Sequence, residues 1–241
     1  MEKGASRFPF FICTNMSIDK QVLAAFYNII SDSKQMLFDD IASNRTRYIT
    51  VAMEHIQKNH NASAVLRTCD CFGIQDLHTI EKNQEYTIHK DIARGAENWV
   101  DIFSHTTGEN PSIECIDKLK KKGYKIVATS PHADQDVHQL NLNEPIALFF
   151  GTERDGISPE VQEKCDEIIK IPMFGFTESF NISVSAAVIL SIIRHRLSES
   201  QIDWKLSEED QVKLKILWST KIIKEGEDVE KEIRHRILEK E

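Results

Sequence analysis

Residues 146–196 determine the predicted fold and read IALFFGTERDGISPEVQEKCDEIIKIPMFGFTESFNISVSAAVILSIIRHR. Two short apolar runs in this stretch are closed by loop-forming residues, the first by Gly151 and the second by Pro172. Such runs are typical of buried strands that lead into loops. A polar turn at 178–181 then precedes an apolar stretch at 184–193, which predicts a helix at residues 181–197. Because ligands in open α/β sheets bind beyond the carboxyl ends of strands, we expect these ends to share one pocket.

The same alternation of strands and helices extends through most of the chain. Strands are predicted at 48–53, 76–81, 124–129, 148–151 and 168–171, with helices between most of them. This order predicts an α/β domain with a mainly parallel sheet at residues 46–197. Residues 1–45 and 198–241 carry apolar side chains at helical spacing, which predicts a helical extension at each end.

The overall composition narrows the class of protein. The formal net charge is -8, which counts against a nucleic-acid partner but leaves room for a local basic patch. No apolar run reaches the roughly 20 residues of a membrane span, and the N-terminal residues lack the apolar core of a secretory signal. The five cysteines include no CxxC pair, which is typical of thiols in a reducing compartment. We therefore expect a cytoplasmic protein that has no contact with a membrane.

Several well-known catalytic and binding motifs are missing from the sequence. Neither GxGxxG nor GxxxxGK[ST] occurs, which argues against the usual dinucleotide and nucleoside-triphosphate loops. The GxSxG elbow and the HExxH helix are also missing. His132 and His138 flank two aspartates, a weak metal pattern that a polar loop explains better, so we expect no metal. The predicted pocket therefore suits a polar organic molecule that is held by backbone groups.

Two basic features have more than one interpretation when the residues are considered alone. Arg67 falls inside a predicted helix that Asn61 would cap and Gly73 would end. A lone helical arginine is more often part of a surface ion pair than of a catalytic centre. The polar segment that contains Arg45 and Arg47 could contact phosphate or serve as a solvated connector.

Three stretches carry a more specific signal: NASAVLRTCDCFG at 61–73, ALFFGTERDGIS at 147–158 and IPMFGFTESFNISVSAAVIL at 171–190. In this order they resemble the three motifs of the SPOUT superfamily of RNA 2'-O-methyltransferases, and within it the TrmH family. The resemblance implies a parallel α/β sheet whose C-terminal part forms a trefoil knot. It also implies S-adenosyl-L-methionine as the cofactor, tRNA as the partner, and a homodimer formed through the knotted region.

The resemblance also assigns roles to individual residues. The implied catalytic residues are Arg67, Asn61, Glu153 and Asn181. The implied cofactor-binding residues are Thr129, Gly151, Thr152, Glu153, Ile171, Pro172, Met173, Ser179, Phe180 and Asn181, with Phe180 at a position where the family usually has Leu. The implied RNA-binding residues are Arg45, Arg47, His60, Arg194 and Arg196. The last two arginines could equally offset a helix dipole.

The implied reaction is methylation of the ribose 2'-hydroxyl of guanosine 18 in the tRNA D-loop. One alternative is the same chemistry on ribosomal RNA or another tRNA nucleotide, and a second is a non-catalytic RNA-binding protein on this fold. Arginine is a poor general base because its pKa exceeds about 12. We therefore favour the hypothesis that Arg67 holds an RNA phosphate and eases alkoxide formation over direct proton abstraction.

Overall fold

The computed structural model describes residues 16–56, 58–82, 86–152 and 154–239. The chain divides into two compact units. One unit is Arg45–Lys205, and the other combines the residues up to Asn44 with those from Leu206 onward. Among the described residues, each helix is too short or too polar to cross a membrane.

The described part of the Arg45–Lys205 unit contains a sheet in which every paired strand is parallel to its neighbour. Its strands are β1 (Ile49–Glu54), β2 (Asp76–Ile80), β3 (Asp101–His105), β4 (Lys125–Thr129), β5 (Gln135–Asp136), β6 (Ile146–Phe150) and β7 (Glu167–Lys170). Their order across the sheet is β3-β2-β1-β6-β4-β7-β5. The predicted parallel sheet is thus confirmed, with β3 and β5 as edge strands that the sequence did not reveal. β3 has only partly buried and exposed side chains, and β5 has two residues, so neither carries a clear apolar pattern.

Helices connect these strands and cover both faces of the sheet. They are α3 (Asn59–Cys71), α4 (Lys90–Ala93), α5 (Pro111–Lys121), α6 (Pro159–Lys164) and α7 (Ile182–Ser198), with short 3-10 turns at Ala96–Asn98 and Val137–Gln139. Successive side chains of a strand point to opposite faces. Val51 and Met53 therefore pack in one core with α3 and α7, whereas Ala52 packs in a second core with α5 and α6. The result is a three-layer α/β arrangement.

The helix α3 begins three residues earlier than predicted. Its N-cap position is Lys58, whose carbonyl accepts the amide of Asn61 at 2.9 Å, so the prediction that Asn61 caps this helix is wrong. The side chain of Asn61 instead contacts a residue outside the helix. The predicted end at Gly73 is confirmed: Gly73 has φ +70°, and Ile74 donates to the carbonyl of Cys69 at 2.9 Å. This is the Schellman arrangement, in which the left-handed position favours glycine.

The second compact unit consists of helices from both ends of the chain, as predicted. They are α1 (Ile18–Tyr27), α2 (Asp32–Ser43), α8 (Glu208–Ile222) and α9 (Gly226–Leu238). Val22 and Phe26 pack in one core with Ile216, Ile233 and Ile237. The predicted apolar stripe of α9 therefore faces other helices of its own unit.

Candidate active site

A cavity of about 440 Å³ lies at the carboxyl ends of β4, β6 and β7. This volume is within the range of small-molecule sites. Its apolar lining includes Phe150, Ile169, Ile171, Met173, Phe180, Ile182 and Ile189, and its polar lining includes Thr129, Ser130, His132, Thr152, Gln162, Ser179 and Ser185. The predicted convergence of two strand ends and a helix start is confirmed, and β4 supplies an additional strand end.

A tight loop after β6 forms one wall of the cavity. Thr152 and Gly156 exchange backbone hydrogen bonds of 2.8 and 3.0 Å, and the Thr152 hydroxyl accepts the amide of Asp155 at 2.9 Å. A Cβ atom on Gly151 would lie 2.0 Å from the carbonyl oxygen of Gly156. Because backbone atoms cannot yield to such an overlap, glycine at position 151 is required for this wall.

The buried carboxylate of Glu54 holds the far end of the same loop. Glu54 is the last residue of β1 and is 2% exposed. Its carboxylate accepts hydrogen bonds from the Ser158 amide at 2.9 Å, the Ser158 hydroxyl at 2.7 Å and the Ser112 hydroxyl at 2.5 Å. Ser158 also caps α6, because its hydroxyl accepts the amide of Val161 at 3.2 Å. The position of the loop therefore depends on a carboxylate that sequence reasoning missed; its only signal was an acidic residue at the end of an apolar strand.

Most of the predicted cofactor-binding residues come together at this cavity. Its lining contains Thr129, Gly151, Thr152, Ile171, Met173, Ser179 and Phe180. Pro172 and Asn181 are neighbours of lining residues but are not in the lining themselves. Glu153 lies outside the described residues. The cavity rim also carries charged side chains that were not predicted, namely Arg154, Asp155, Lys170 and Glu178. Their proximity to the motif residues along the chain was the available signal.

Two of the predicted catalytic residues are in direct contact. Nδ2 of Asn181 donates to Oδ1 of Asn61 at 3.2 Å. Oδ1 of Asn181 accepts the amide of Ser183 at 2.9 Å and its hydroxyl at 2.6 Å, so Asn181 is also the N-cap of α7. Arg67 lies on α3 with an exposed side chain and forms no hydrogen bond or ion pair with another described residue. Its guanidinium could therefore bind a phosphate without breaking a hydrogen bond or ion pair to another described residue.

Arg45 and Arg47, which were predicted to bind RNA, form ion pairs within the protein. Arg45 is 2% exposed and its guanidinium is paired with Asp70, so it is inaccessible to a phosphate. Arg47 is partly exposed, but its guanidinium is shared between Asp76 and Asp101. These carboxylates balance the charge of each arginine within the protein, which counts against a contact with RNA.

The two arginines near the end of α7 also have structural roles. Nε of Arg194 donates to the carbonyl of Phe72 at 2.8 Å, and the guanidinium lies 4.0 Å from the ring centroid of Trp204. Arg196 donates to the carbonyls of Val137 at 3.1 Å and Leu140 at 2.6 Å. These contacts anchor α7, and the RNA-binding role of both arginines stays a prediction. His60 remains exposed, with its ring centroid 4.3 Å from that of His89.

Comparison with known proteins gives consistent matches. The family model of the SpoU rRNA methylases matches residues 48–191. The tRNA (guanosine(18)-2'-O)-methyltransferase of Borreliella burgdorferi is 36% identical over 202 residues, which cover 83% of this chain and 91% of that protein. The crystal structure of the Aquifex aeolicus TrmH/SpoU tRNA modifying enzyme matches with a TM-score of 0.71 and 27% identity, covering 80% of this chain and 98% of that one.

A more distant structure has the same fold. It is the SpoU methyltransferase AviRb of Streptomyces viridochromogenes in complex with AdoMet, which matches with a TM-score of 0.53 and 19% identity. The match covers 67% of this chain and 62% of that one. At this identity the likeness extends to the fold alone.

Proposed function

This chain belongs to the SpoU rRNA methylase family, and on that premise we propose that it methylates the ribose 2'-hydroxyl of guanosine 18 in tRNA. S-adenosyl-L-methionine supplies the methyl group when it is bound. The observation that carries the proposal is the cavity formed by two of the three motif segments, together with the Asn61–Asn181 contact that links it to the third. The catalytic domain would be residues 46–197, with 1–45 and 198–241 as extensions, and the trefoil knot follows from family membership.

The lining of the cavity fits this cofactor chemically. The cofactor combines a flat apolar base, a polar ribose, a cationic sulfur and a zwitterionic amino-acid end. Ile171, Met173 and Phe180 offer an apolar surface for the base, while Thr129 and Ser179 offer hydroxyl groups. The rim has carboxylates and cations that could pair with the charged end. Glu153 keeps its proposed catalytic and cofactor-binding roles on the strength of the family motif.

The protein's own contribution is to align the ribose and ease loss of its proton. Methyl transfer to a hydroxyl is an in-line displacement, so alignment of the reactants lowers the barrier. Arg67 would hold a phosphate next to the target ribose, and its positive charge would favour the developing alkoxide. Asn61 would be oriented for the ribose by the hydrogen bond from Asn181.

The RNA surface would be centred on the cavity rim. With four of the predicted arginines committed to protein partners, Arg154 becomes the stronger candidate because it lines the cavity and its side chain is 89% exposed. Its contact with Asp155 is 4.0 Å long and solvent-exposed, and such pairs contribute little. Arg67 and His60 would extend this surface along α3. The charge of the two arginines would act locally, against the net charge of -8.

A homodimer would complete the site. Phe174 and Phe176 are fully exposed, and Phe180 and Val184 are about half exposed. Together they form an apolar surface that continues from the cavity onto the first turn of α7. A second copy of this chain, docked through the same surface, would bury these rings and close the cavity. Light scattering should give twice the monomer mass for the wild type, and Phe176→Asp should shift the protein toward monomer.

Labelled methyl transfer to unmodified tRNA tests the proposed function. The label should appear in tRNA, and replacement of guanosine 18 by adenosine in the transcript should abolish it. Label in ribosomal RNA alone would overturn the choice of substrate, and label that survives the replacement would move the target to another tRNA nucleotide. The absence of label from every RNA would favour a non-catalytic RNA-binding protein. A cytoplasmic location is part of the proposal, in keeping with a tRNA substrate.

A further inference from the structure

Three metal-ligating side chains meet outside the three motif segments. They are His78 on β2, His105 at the end of β3 and Cys115 on α5. One nitrogen from each ring and the Cys115 sulfur all lie within 4.8 Å of one another, and Nδ1 of His78 is 2.9 Å from Nε2 of His105. We propose that these side chains bind a divalent cation of the zinc class, independently of the methyl-transfer site.

The donor set suits such an ion. Imidazole and thiolate are the ligands that Zn²⁺ prefers in proteins, with Zn–N near 2.0 Å and Zn–S near 2.3 Å. Tetrahedral geometry at these bond lengths separates ligand atoms by about 3.3–3.7 Å. The two ring nitrogens, 2.9 Å apart, would have to separate to reach that spacing, and the Cys115 sulfur lies within 4.8 Å of both. His78 and Cys115 are buried, whereas His105 is partly exposed, which leaves a fourth position for water on the open side.

Binding of the divalent cation would release one proton from the cluster. The short contact between the two rings requires one nitrogen to donate and the other to accept, so the accepting ring is neutral and offers a lone pair. On binding, the donating ring would move its proton to its other nitrogen through exchange with solvent, so that both rings stay neutral and each offers a lone pair to the cation. The Cys115 thiol would release its proton to solvent as the metal–sulfur bond forms. The net charge brought into the cluster is therefore +1 rather than +2.

Electrostatic repulsion from two lysines, Lys118 and Lys122, opposes the ion. The amino group of Lys122 lies 5.5 Å from the ring centroid of Phe103, and that ring stacks on His78 at 5.0 Å. Because the thiol loses its proton, the cluster gains a net charge of +1 rather than +2, which halves the repulsion between the cluster and the nearby lysines. A bound ion would connect β2, the edge strand β3 and α5, so it would stabilise the folded state through preferential binding.

Cobalt titration of the full chain, purified in a chelator that is then removed, tests the proposal. One equivalent of Co²⁺ should produce visible d–d bands and a near-ultraviolet thiolate band, and Zn²⁺ should bleach both. Cys115→Ser should abolish the thiolate band, and His105→Gln should weaken Co²⁺ binding by more than the 10- to 100-fold effect typical of outer-shell changes. Cys71→Ser is the matched control, because Cys71 is exposed on α3, and it should bind like the wild type.

Thermal unfolding provides the second measurement. Zn²⁺ should raise the melting temperature of the wild type and of Cys71→Ser but not of Cys115→Ser. If Cys115→Ser fails to fold, His105→Gln provides the same test, because residue 105 is partly exposed and its substitution should disturb the fold less. Absence of the thiolate band from the wild type, or its persistence in Cys115→Ser, would overturn the proposal.

Discussion

Nδ2 of Asn181 lies 3.2 Å from Oδ1 of Asn61, although 120 residues separate the two along the chain. The contact joins the first turn of α3 to the N-cap of α7. The other ends of these helices are also linked, because Arg194 donates to the carbonyl of Phe72 at 2.8 Å. The two helices therefore run side by side in the same direction, and the three motif segments meet at one end of this pair.

Asn181→Asp separates the two functions of this side chain. Aspartate caps a helix as well as asparagine does, so the free energy of unfolding should change by less than about 0.5 kcal/mol. The carboxylate cannot donate to Asn61, so we expect kcat to fall between about 10-fold and 100-fold through loss of alignment. Urea denaturation and single-turnover methyl transfer would measure the two effects. Asn181→Ala should lose both properties, and an Asn181→Asp protein with wild-type kcat would contradict the proposed role of the contact.

Replacement of Arg67 should affect activity without affecting stability. Its side chain is exposed and has no hydrogen-bond or ion-pair partner among the described residues, so Arg67→Ala should leave the unfolding midpoint unchanged. Loss of a cation that stabilises a developing alkoxide should lower kcat by at least about 100-fold. Arg67→Lys should recover part of the rate if charge near a phosphate is what matters. Arg236→Ala, an exposed cation on α9, is the control, and an Arg67→Ala enzyme as fast as that control would exclude the catalytic role.

Gly151→Ala should damage the cavity. The added Cβ would overlap the Gly156 carbonyl, so the loop must move. We expect the affinity for S-adenosylhomocysteine, measured by calorimetry, to weaken by at least about tenfold, or ~1.4 kcal/mol. Gly175→Ala is the matched control, because a Cβ at that position would meet no atom within 4 Å and should leave binding unchanged. Equal affinities for the two variants would disprove the requirement for glycine at position 151.

Glu54→Gln should act on the cofactor site from a distance. The amide of Gln can replace only part of the acceptor capacity that Ser112 and Ser158 use. Weakened hydrogen bonds to a buried charged group should cost about 1–3 kcal/mol of stability. The affinity for S-adenosylhomocysteine should fall as well, because Ser158 anchors the loop. Ser112→Ala, which removes a partner outside the loop, should lower stability but leave that affinity close to wild type; a larger loss of affinity in Ser112→Ala would point to a general effect on folding.

Asp166 should give a stability that depends on pH. Partial burial alone would raise the pKa of its carboxyl, but hydrogen bonds from Lys120 Nζ and the Ile126 amide outweigh burial and lower that pKa. A lowered folded-state pKa contributes stability above the unfolded-state value, and this contribution is lost as the pH falls through the folded-state value. Asp166→Asn should therefore unfold at lower urea than the wild type at pH 7. The difference should close below about pH 4, where the unfolded-state carboxyl becomes protonated; a gap that is constant from pH 7 to pH 3 would contradict this account.

Elements with a strong local pattern were predictable from the sequence. The continuous apolar run at β6 and the apolar periodicity of α7 placed both elements within two residues of their observed bounds. The short edge strands β3 and β5 escaped prediction, because an edge strand buries too little to need a regular apolar pattern. The start of α3 was misplaced for another reason: Asn61 is a good capping residue, yet the helix gains an earlier turn from Lys58.

The sequence by itself determined the parallel α/β class, the family motifs and the glycine-bounded loop after β6. These features rest on local patterns, in which each residue's chemistry limits its own backbone and its own burial. Only the tertiary structure decided which arginines are free. The sequence shows Arg45, Arg47 and Arg67 only as three residues of one type. In the folded chain, carboxylates that are distant in sequence pair with the first two, namely Asp70 with Arg45, and Asp76 and Asp101 with Arg47. Charge is a property of a side chain, whereas its availability depends on partners that chain folding brings close.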